Sequence, residues 1–157
     1  MSERGTRDEP TVEATLHASR ALLGVVARSL APVLDQVSLA QFRVLVLLSE
    51  LGPTRSGLLA EYLGVHASTF TRMADRLVAG GWVERQEAPH NRREVHVALT
   101  ATGAGLVSEV TRRRRDALAA ILDPLDAEQR QRIQAGLQLF AEAAGEPSLD
   151  DLSALGL

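Results

Sequence analysis

The 157 residues include no cysteine. Disulfides, thiolate metal ligands and thiol redox switches are excluded together, because each needs that sulfur. Lysine is absent too, and all 17 basic residues are arginine. A GC-rich coding sequence produces that bias as readily as phosphate binding does, so arginine content alone identifies no partner. No apolar run approaches the ~18 residues of a membrane span. The opening segment MSERGTRDEP lacks the apolar stretch of a secretory leader, so a cytoplasmic protein is expected. The four histidines are dispersed and show no H-E-x-x-H spacing, so neither a metal site nor another cofactor is expected. No nucleophile is paired with a base, no glycine-rich phosphate loop occurs, and no two acids share a catalytic setting. No catalytic residue is assigned, and enzyme activity is not expected.

What is there is 45% hydrophobic and 24% charged, the composition of one compact domain with a real core. The net charge of −3 is unevenly spread. Residues 1–34 are balanced, residues 35–122 carry +2 and residues 123–157 carry −5. A mildly basic middle permits a nucleic-acid partner without demanding one.

From Thr11 to about Leu34 the spacing predicts an amphipathic helix. Val12, Leu16, Leu23, Val26 and Leu30 form a narrow stripe, with Ser19 in the missing position, of the kind that makes a seam between helices. Pro32 should end or kink it. Ser38 and Gln41 have capping-box spacing ahead of FRVLVLLSEL, a helix apolar nearly all round that should lie centrally and stop at Gly52-Pro53. Ser56 is expected to cap a short helix ending at Gly64. A second helix is expected from about Ala67 to Ala79, closed by Gly80-Gly81. Phe70, Met73, Ala74 and Leu77 form its apolar side, while Ser68, Thr69, Thr71, Arg72 and Arg76 occupy its other faces. Two short helices joined through Gly64-Val65 match a helix-turn-helix.

WVERQE and EVHVAL read as strands, with Val95, Val97 and Leu99 facing one way and Glu94, His96 and Ala98 the other. The polar loop A-P-H-N-R-R between them gives a hairpin with a basic tip, a wing. Thr100 should cap a long helix from Ala101 to about Leu122. Arg114 interrupts its apolar stripe. Arg112–Arg115 point round that helix and cannot form one patch, and Glu109 and Asp116 lie at pairing distance. Asp126 and Gln129 begin a last helix that runs to about Ala144, with Ile133, Leu137 and Phe140 on one face. The first and last helices offer more apolar surface than one small winged domain uses, and a homodimer would bury it.

The predicted fold is mainly α with a small β-hairpin wing. Residues 1–34 form an N-terminal arm and dimerisation helix, 35–100 the winged helix-turn-helix, 101–145 C-terminal dimerisation helices, and 146–157 an acidic tail. Residues 58–103, LLAEYLGVHASTFTRMADRLVAGGWVERQEAPHNRREVHVALTATG, resemble the MarR (multiple antibiotic resistance regulator) family. The marks are TRMADRL, G-W-V-E-R, and N-R-R followed by V-A-L-T-A-T-G, and the likeness extends from about Thr11 to Ala144. The chain departs from the family pattern at His66, where a serine-like cap is usual, and at Asn91, where an aspartate is usual.

The resemblance implies a homodimeric DNA-binding regulator of transcription, a repressor more often than an activator. Double-stranded DNA with an inverted-repeat operator is the expected partner. On that reading Ser68, Thr69, Thr71, Arg72, Arg76 and the wing residues Arg92 and Arg93 contact DNA. A small aromatic or hydrophobic effector would sit between the dimer helices and the winged domain, with His17, Arg20, Phe42 and Arg43 as its expected contacts. Met73 should be buried and slow to oxidise, Arg85 should have a structural or phosphate partner, and Phe70 and Trp82 should pack rather than stack on bases. The alternative is a winged-helix module that has lost specific DNA binding and docks a protein.

Overall fold

The computed structural model describes residues 9–88 and 91–145, with residues 88 and 91–94 described by their backbone alone. The N-terminal arm before Glu9, His90 and the acidic tail after Gly145 lie outside the described residues. Helix α1 (Glu9–Leu30) ends where Pro32 enters a 3-10 turn, Ala31–Val33, as a residue without an N–H should make it do. Helix α2 (Leu39–Leu51) starts on the expected capping box. The Gln41 backbone N–H donates to Ser38 Oγ at 3.2 Å, and Ser38 N–H donates to Gln41 Oε1 at 2.8 Å. Phe42, Val44, Leu45 and Leu48 of this helix are buried, so α2 is the central core element.

A two-residue strand, β1 (Thr54–Arg55), precedes helix α3 (Ser56–Leu63). It was not legible in the sequence. Thr54 is buried, its hydroxyl donates to Gly52 O at 2.9 Å, and its backbone pairs with an edge that would otherwise be open. The extended Arg55 therefore takes the cap position. Ser56 is the first helical residue and not the expected cap, and no side chain caps α3. Gly64 closes α3 at φ 64°, a left-handed turn that costs glycine nothing.

Helix α4 spans Ala67–Ala79, and its cap residue His66 makes no side-chain cap bond. The helix still starts there because the His66 carbonyl accepts from both Thr69 and Phe70, and because burial of Phe70, Ala74 and Leu77 holds it in place. Strands β2 (Val83–Ala88) and β3 (Asn91–Leu99) make the hairpin, and the antiparallel sheet has the order β1-β3-β2. The register runs from Val83↔Leu99 to Glu87↔Val95 and resumes at Ala88↔Asn91 after an irregularity. Asn91, Arg92 and Arg93 therefore belong to strand β3 and not to the expected loop, because Asn91 pairs with Ala88 beyond the bulge and the backbone stays extended between the two paired stretches despite poor strand propensity. The alternation on β3 is also less clean than its pattern. Val97 and Ala98 are both buried, and Val95 is exposed because it lies out along the wing.

Thr100 caps helix α5 (Ala101–Leu122) by accepting from Gly103 N–H. Asp126 and Gln129 form the second capping box, at helix α6 (Ala127–Ala143). Helices α1 and α2 pack on α5, α3 packs on α4, and α4 packs on β2. The core joins Leu45 and Leu48 to Leu59, Phe70, Leu77, Val97 and Val110. No residue of α6 is buried, and Val12, Leu16, Leu23, Ile133, Leu137 and Phe140 are exposed. No helix among the described residues is long and apolar enough to cross a membrane.

Two substitutions should separate core from cap. Phe70→Ala opens a cavity at a site with 0% exposure and should cost ~3–5 kcal/mol. Ser38→Ala removes half of one capping box and should cost ~0.5–2 kcal/mol. Urea unfolding midpoints measure both, and equal losses would contradict this account of the core.

Candidate nucleic-acid interface

Helix α4 divides along its length. Phe70, Ala74 and Leu77 are buried, whereas Ser68, Thr69, Thr71, Arg72 and Arg76 are all exposed. The division follows from the 3.6-residue period, since fixing one stripe in the core fixes the opposite face toward solvent. The Thr71 hydroxyl donates to Ala67 O at 2.9 Å, and Arg72 Nε approaches Ser68 O at 3.4 Å. Both side chains are thereby folded back along the first two turns of the helix.

A cleft of about 330 Å³ lies between α4 and the start of α2, lined by Ser38, Ala40, Gln41, Thr69, Arg72, Met73 and Arg76. It holds two guanidinium groups and no carboxylate, beside the positive end of a helix dipole. Its chemistry suits an anion such as a phosphodiester. The Ser38 and Gln41 contribution was missed in the sequence, where these residues figured only as a cap. Met73 lines this cleft and is half-buried, contrary to the expectation that it is buried. The stripe is wider at Met73 than the core it packs on, so one edge of the residue faces the cleft.

Arg85 on β2 bonds to Asp75 on α4 through Nη2–Oδ1 at 2.6 Å. Asp75 is thus the structural partner expected for Arg85, and no local spacing in the sequence points to it. Both side chains are about half exposed, so the pair contributes ~0–1 kcal/mol and serves mainly to orient the wing base against α4. The backbones of Arg92 and Arg93 lie at the start of β3, and their side chains are outside the described residues. Phe70 packs in the core, and Trp82 is half-buried beside it.

Of the expected effector contacts, Phe42 and Arg43 share one cleft of about 340 Å³, which Val26, Leu30, Leu39, Val46, Leu47, Glu50, Tyr62 and Arg114 complete. Tyr62, Glu50 and Arg114 come from other helices or other turns, and nothing local in the sequence linked them. His17 and Arg20 are exposed on α1 and do not line this cleft. The arginine run behaves as its spacing suggests. Arg112 pairs with Glu109 and Asp116, and Arg113 pairs with Glu109. Arg113 Nη1 and Arg114 Nε are buried with no hydrogen-bond partner among the described residues. No group of three or more metal-ligating side chains forms among the described residues.

A helix-turn-helix with an exposed polar and basic second helix, followed by a two-stranded wing, defines a winged-helix regulator of transcription. The model of the MarR family matches residues 37–95. The uncharacterised HTH-type transcriptional regulator YfiV of Bacillus subtilis is 30% identical over 107 residues, which is 68% of this chain and 67% of that protein. The multiple antibiotic resistance protein MarR of Escherichia coli K12 is 38% identical over 73 residues, 46% of this chain and 51% of that one. The crystal structure of RV1404 from Mycobacterium tuberculosis is 38% identical, with a TM-score of 0.78, and covers 94% of this chain and 99% of that one. The chain belongs to the MarR family, whose members are DNA-binding transcription regulators and not enzymes.

The ion pairs on α5 lead to a pH prediction. The hydrogen bond from Arg112 holds the Glu109 carboxyl below its ordinary value of 4.5; desolvation opposes this, and the charges of Arg112 and Arg113 and the hydrogen bond from Arg113 add to the lowering. A depressed carboxylate stabilises the fold fully above its unfolded pKa, and that contribution is lost as pH falls through the folded value. Glu109→Gln should therefore reduce stability at neutral pH slightly and flatten its decline below about pH 4.5. Thermal melts across pH 3 to 7 check this, and parallel curves for the two proteins would contradict it.

Proposed function

We propose that this protein is a cytoplasmic homodimeric repressor that holds an inverted-repeat operator and releases it when a small apolar or weakly acidic aromatic compound binds. The observation that carries the reading is α4, where Ser68, Thr69, Thr71, Arg72 and Arg76 share the solvent side while Phe70, Ala74 and Leu77 anchor the helix. An exposed helix of this kind enters a major groove with its N-terminal residues foremost. Arg72 reaches guanine O6 and N7 or a phosphate, and Arg76 with the start of α2 takes a phosphate. Arg92 and Arg93 on the wing reach the adjacent backbone or minor groove.

Dimerisation is supported by surface that one protomer leaves uncovered. Leu23 is 67% exposed and Phe140 57%, and a groove of about 480 Å³ between α1 and α6 is lined largely by small and apolar residues. Burying each leucine-sized side chain against a second copy is worth ~1.5–3 kcal/mol before entropic costs. The chain then divides by role, with residues 1–34 and 101–145 making the dimer and residues 35–100 meeting DNA.

Release is assigned to the cleft of Phe42 and Arg43. Its lining is mostly aliphatic, with Tyr62 as a second aromatic and Arg43 and Arg114 as cations, which suits an aromatic ring bearing a weakly acidic group. A ligand there frees DNA only by binding the DNA-incompetent dimer more tightly than the competent one. Without cysteine, thiol oxidation has no part in the control.

Titration of the full chain against inverted-repeat duplexes with half-site centres ~10 bp apart, at two salt concentrations, tests the reading. Affinity should fall with salt as counterions return to the DNA. Arg72→Ala should cost ~1–3 kcal/mol and relax sequence preference, and Arg93→Ala should weaken all duplexes alike and lower the salt slope by about 1. Binding that ignores salt, or a folded monomer in sedimentation at micromolar concentration, would overturn the proposal. A panel of aromatic acids and hydrophobic antibiotics should contain compounds that dissociate the complex, less effectively from Arg43→Ala. Dissociation by mild peroxide with no response to the panel would overturn the effector.

A further inference from the structure

The chain that leaves α4 and the chain that begins α5 meet at one point. Gly81 N–H donates to Val78 O and Trp82 N–H donates to Leu77 O, both at 3.0 Å, so residues 81 and 82 are tied to the last turn of α4. From the other side, Thr100 Oγ1 lies 2.7 Å from Gly81 O and 3.1 Å from Trp82 O. Thr100 N–H donates to Trp82 O at 3.2 Å. The same hydroxyl accepts from Gly103 N–H at 3.1 Å, as the cap of α5. A hydroxyl has one proton and two lone pairs, so it can donate to the end of one helix while it accepts from the start of the other.

The contact is also sterically exclusive. A Cβ at position 103 would stand 2.1 Å from Trp82 O and 3.0 Å from Leu99 Cδ2. Only glycine lets the first turn of α5 lie on that carbonyl. The relation of α4 to α5 is therefore set by bonded backbone on both sides, while the whole hairpin leaves and returns through the same junction. Helix α5 carries α1 and α2 along its length, so whatever tilts α5 acts on α4 here.

We propose that Thr100 and Gly103 are positioning residues that fix the angle between α4 and α5, and through it the separation of the two recognition helices in the dimer. The second step rests on the dimeric DNA-binding reading above, and the first does not.

The test uses the full chain and two readouts. Because there is no native cysteine, Ala79→Cys on α4 and Ala120→Cys on α5 take spin labels uniquely. Dilution with excess unlabelled chain then makes the measured distance one within a protomer. Thr100→Asp keeps a good helix cap but has no proton to donate to Gly81 or Trp82, whereas Thr100→Ser keeps both functions. Thr100→Asp and Gly103→Ala should shift or broaden the distance distribution, and Thr100→Ser should reproduce the parent. Against duplexes with half-site centres 9 to 12 bp apart, parent and Thr100→Ser should prefer ~10 bp, while Thr100→Asp and Gly103→Ala lose that preference. General destabilisation would lower affinity at every spacing alike. If Gly103→Ala does not fold, Thr100→Asp carries the test.

Unchanged distances in folded Thr100→Asp would overturn the proposal, as would a Thr100→Ser profile as disturbed as that of Thr100→Asp. If the distances respond as expected but the parent shows no spacing preference, the dimeric operator reading fails and the junction stands.

Discussion

The burial of Phe70, Ala74 and Leu77 is the constraint on which the rest of this molecule rests. A 13-residue helix of such mixed composition, with a histidine at its cap and no side-chain bond there, would be marginal in isolation. Contact with α3 and β2, and a shared core with α2, hold it. Once that stripe is committed to the core, the helical period sends Ser68, Thr69, Thr71, Arg72 and Arg76 outward with no further device. The same core makes α2 central, and so brings the α2 capping box to the rim of the cleft beside Arg72 and Arg76.

Electrostatics here are local. The net charge of −3 gives no hint of a cleft lined by two arginines and no acid. Acids elsewhere in the chain are paired with other arginines. Asp75 holds Arg85 at the wing base, and Glu109 is occupied by Arg112 and Arg113. These exposed pairs add little stability. Their effect is to orient the side chains they join.

The terminal helices obey a different balance from the middle of the chain. Residues of α2, α3 and α4 meet a complete core within one protomer, whereas α6 buries nothing and the first half of α1 presents valine and leucine to solvent. Under the homodimer reading these helices are one half of a core whose other half is a second copy. The Thr100–Gly103 junction would then be a short bonded route from that shared core to the recognition helix.

Much of this was legible in the sequence, wherever a residue's own neighbours decide its conformation. The two capping boxes, the Pro32 stop, the left-handed turn at Gly64 and the bounds of α4 depend on groups within four residues of one another, and hydrophobic period alone found the buried stripe. What the sequence could not reveal depends on residues distant along the chain. Thr54 and Arg55 become a strand only because β3 offers an edge, and that strand displaces Ser56 from its expected cap. Pairing of Asn91 with Ala88 beyond a bulge extends β3 through Arg92 and Arg93 against their propensity. Tyr62 and Arg114 join Phe42 and Arg43, Asp75 finds Arg85, and Gly103 lies against the Trp82 carbonyl, each through packing between separate elements. Local sequence determined which segments are helices and which side of α4 is polar. Tertiary structure alone decided which side chains share a cleft, because that depends on how finished elements stack and not on the residues within any one of them.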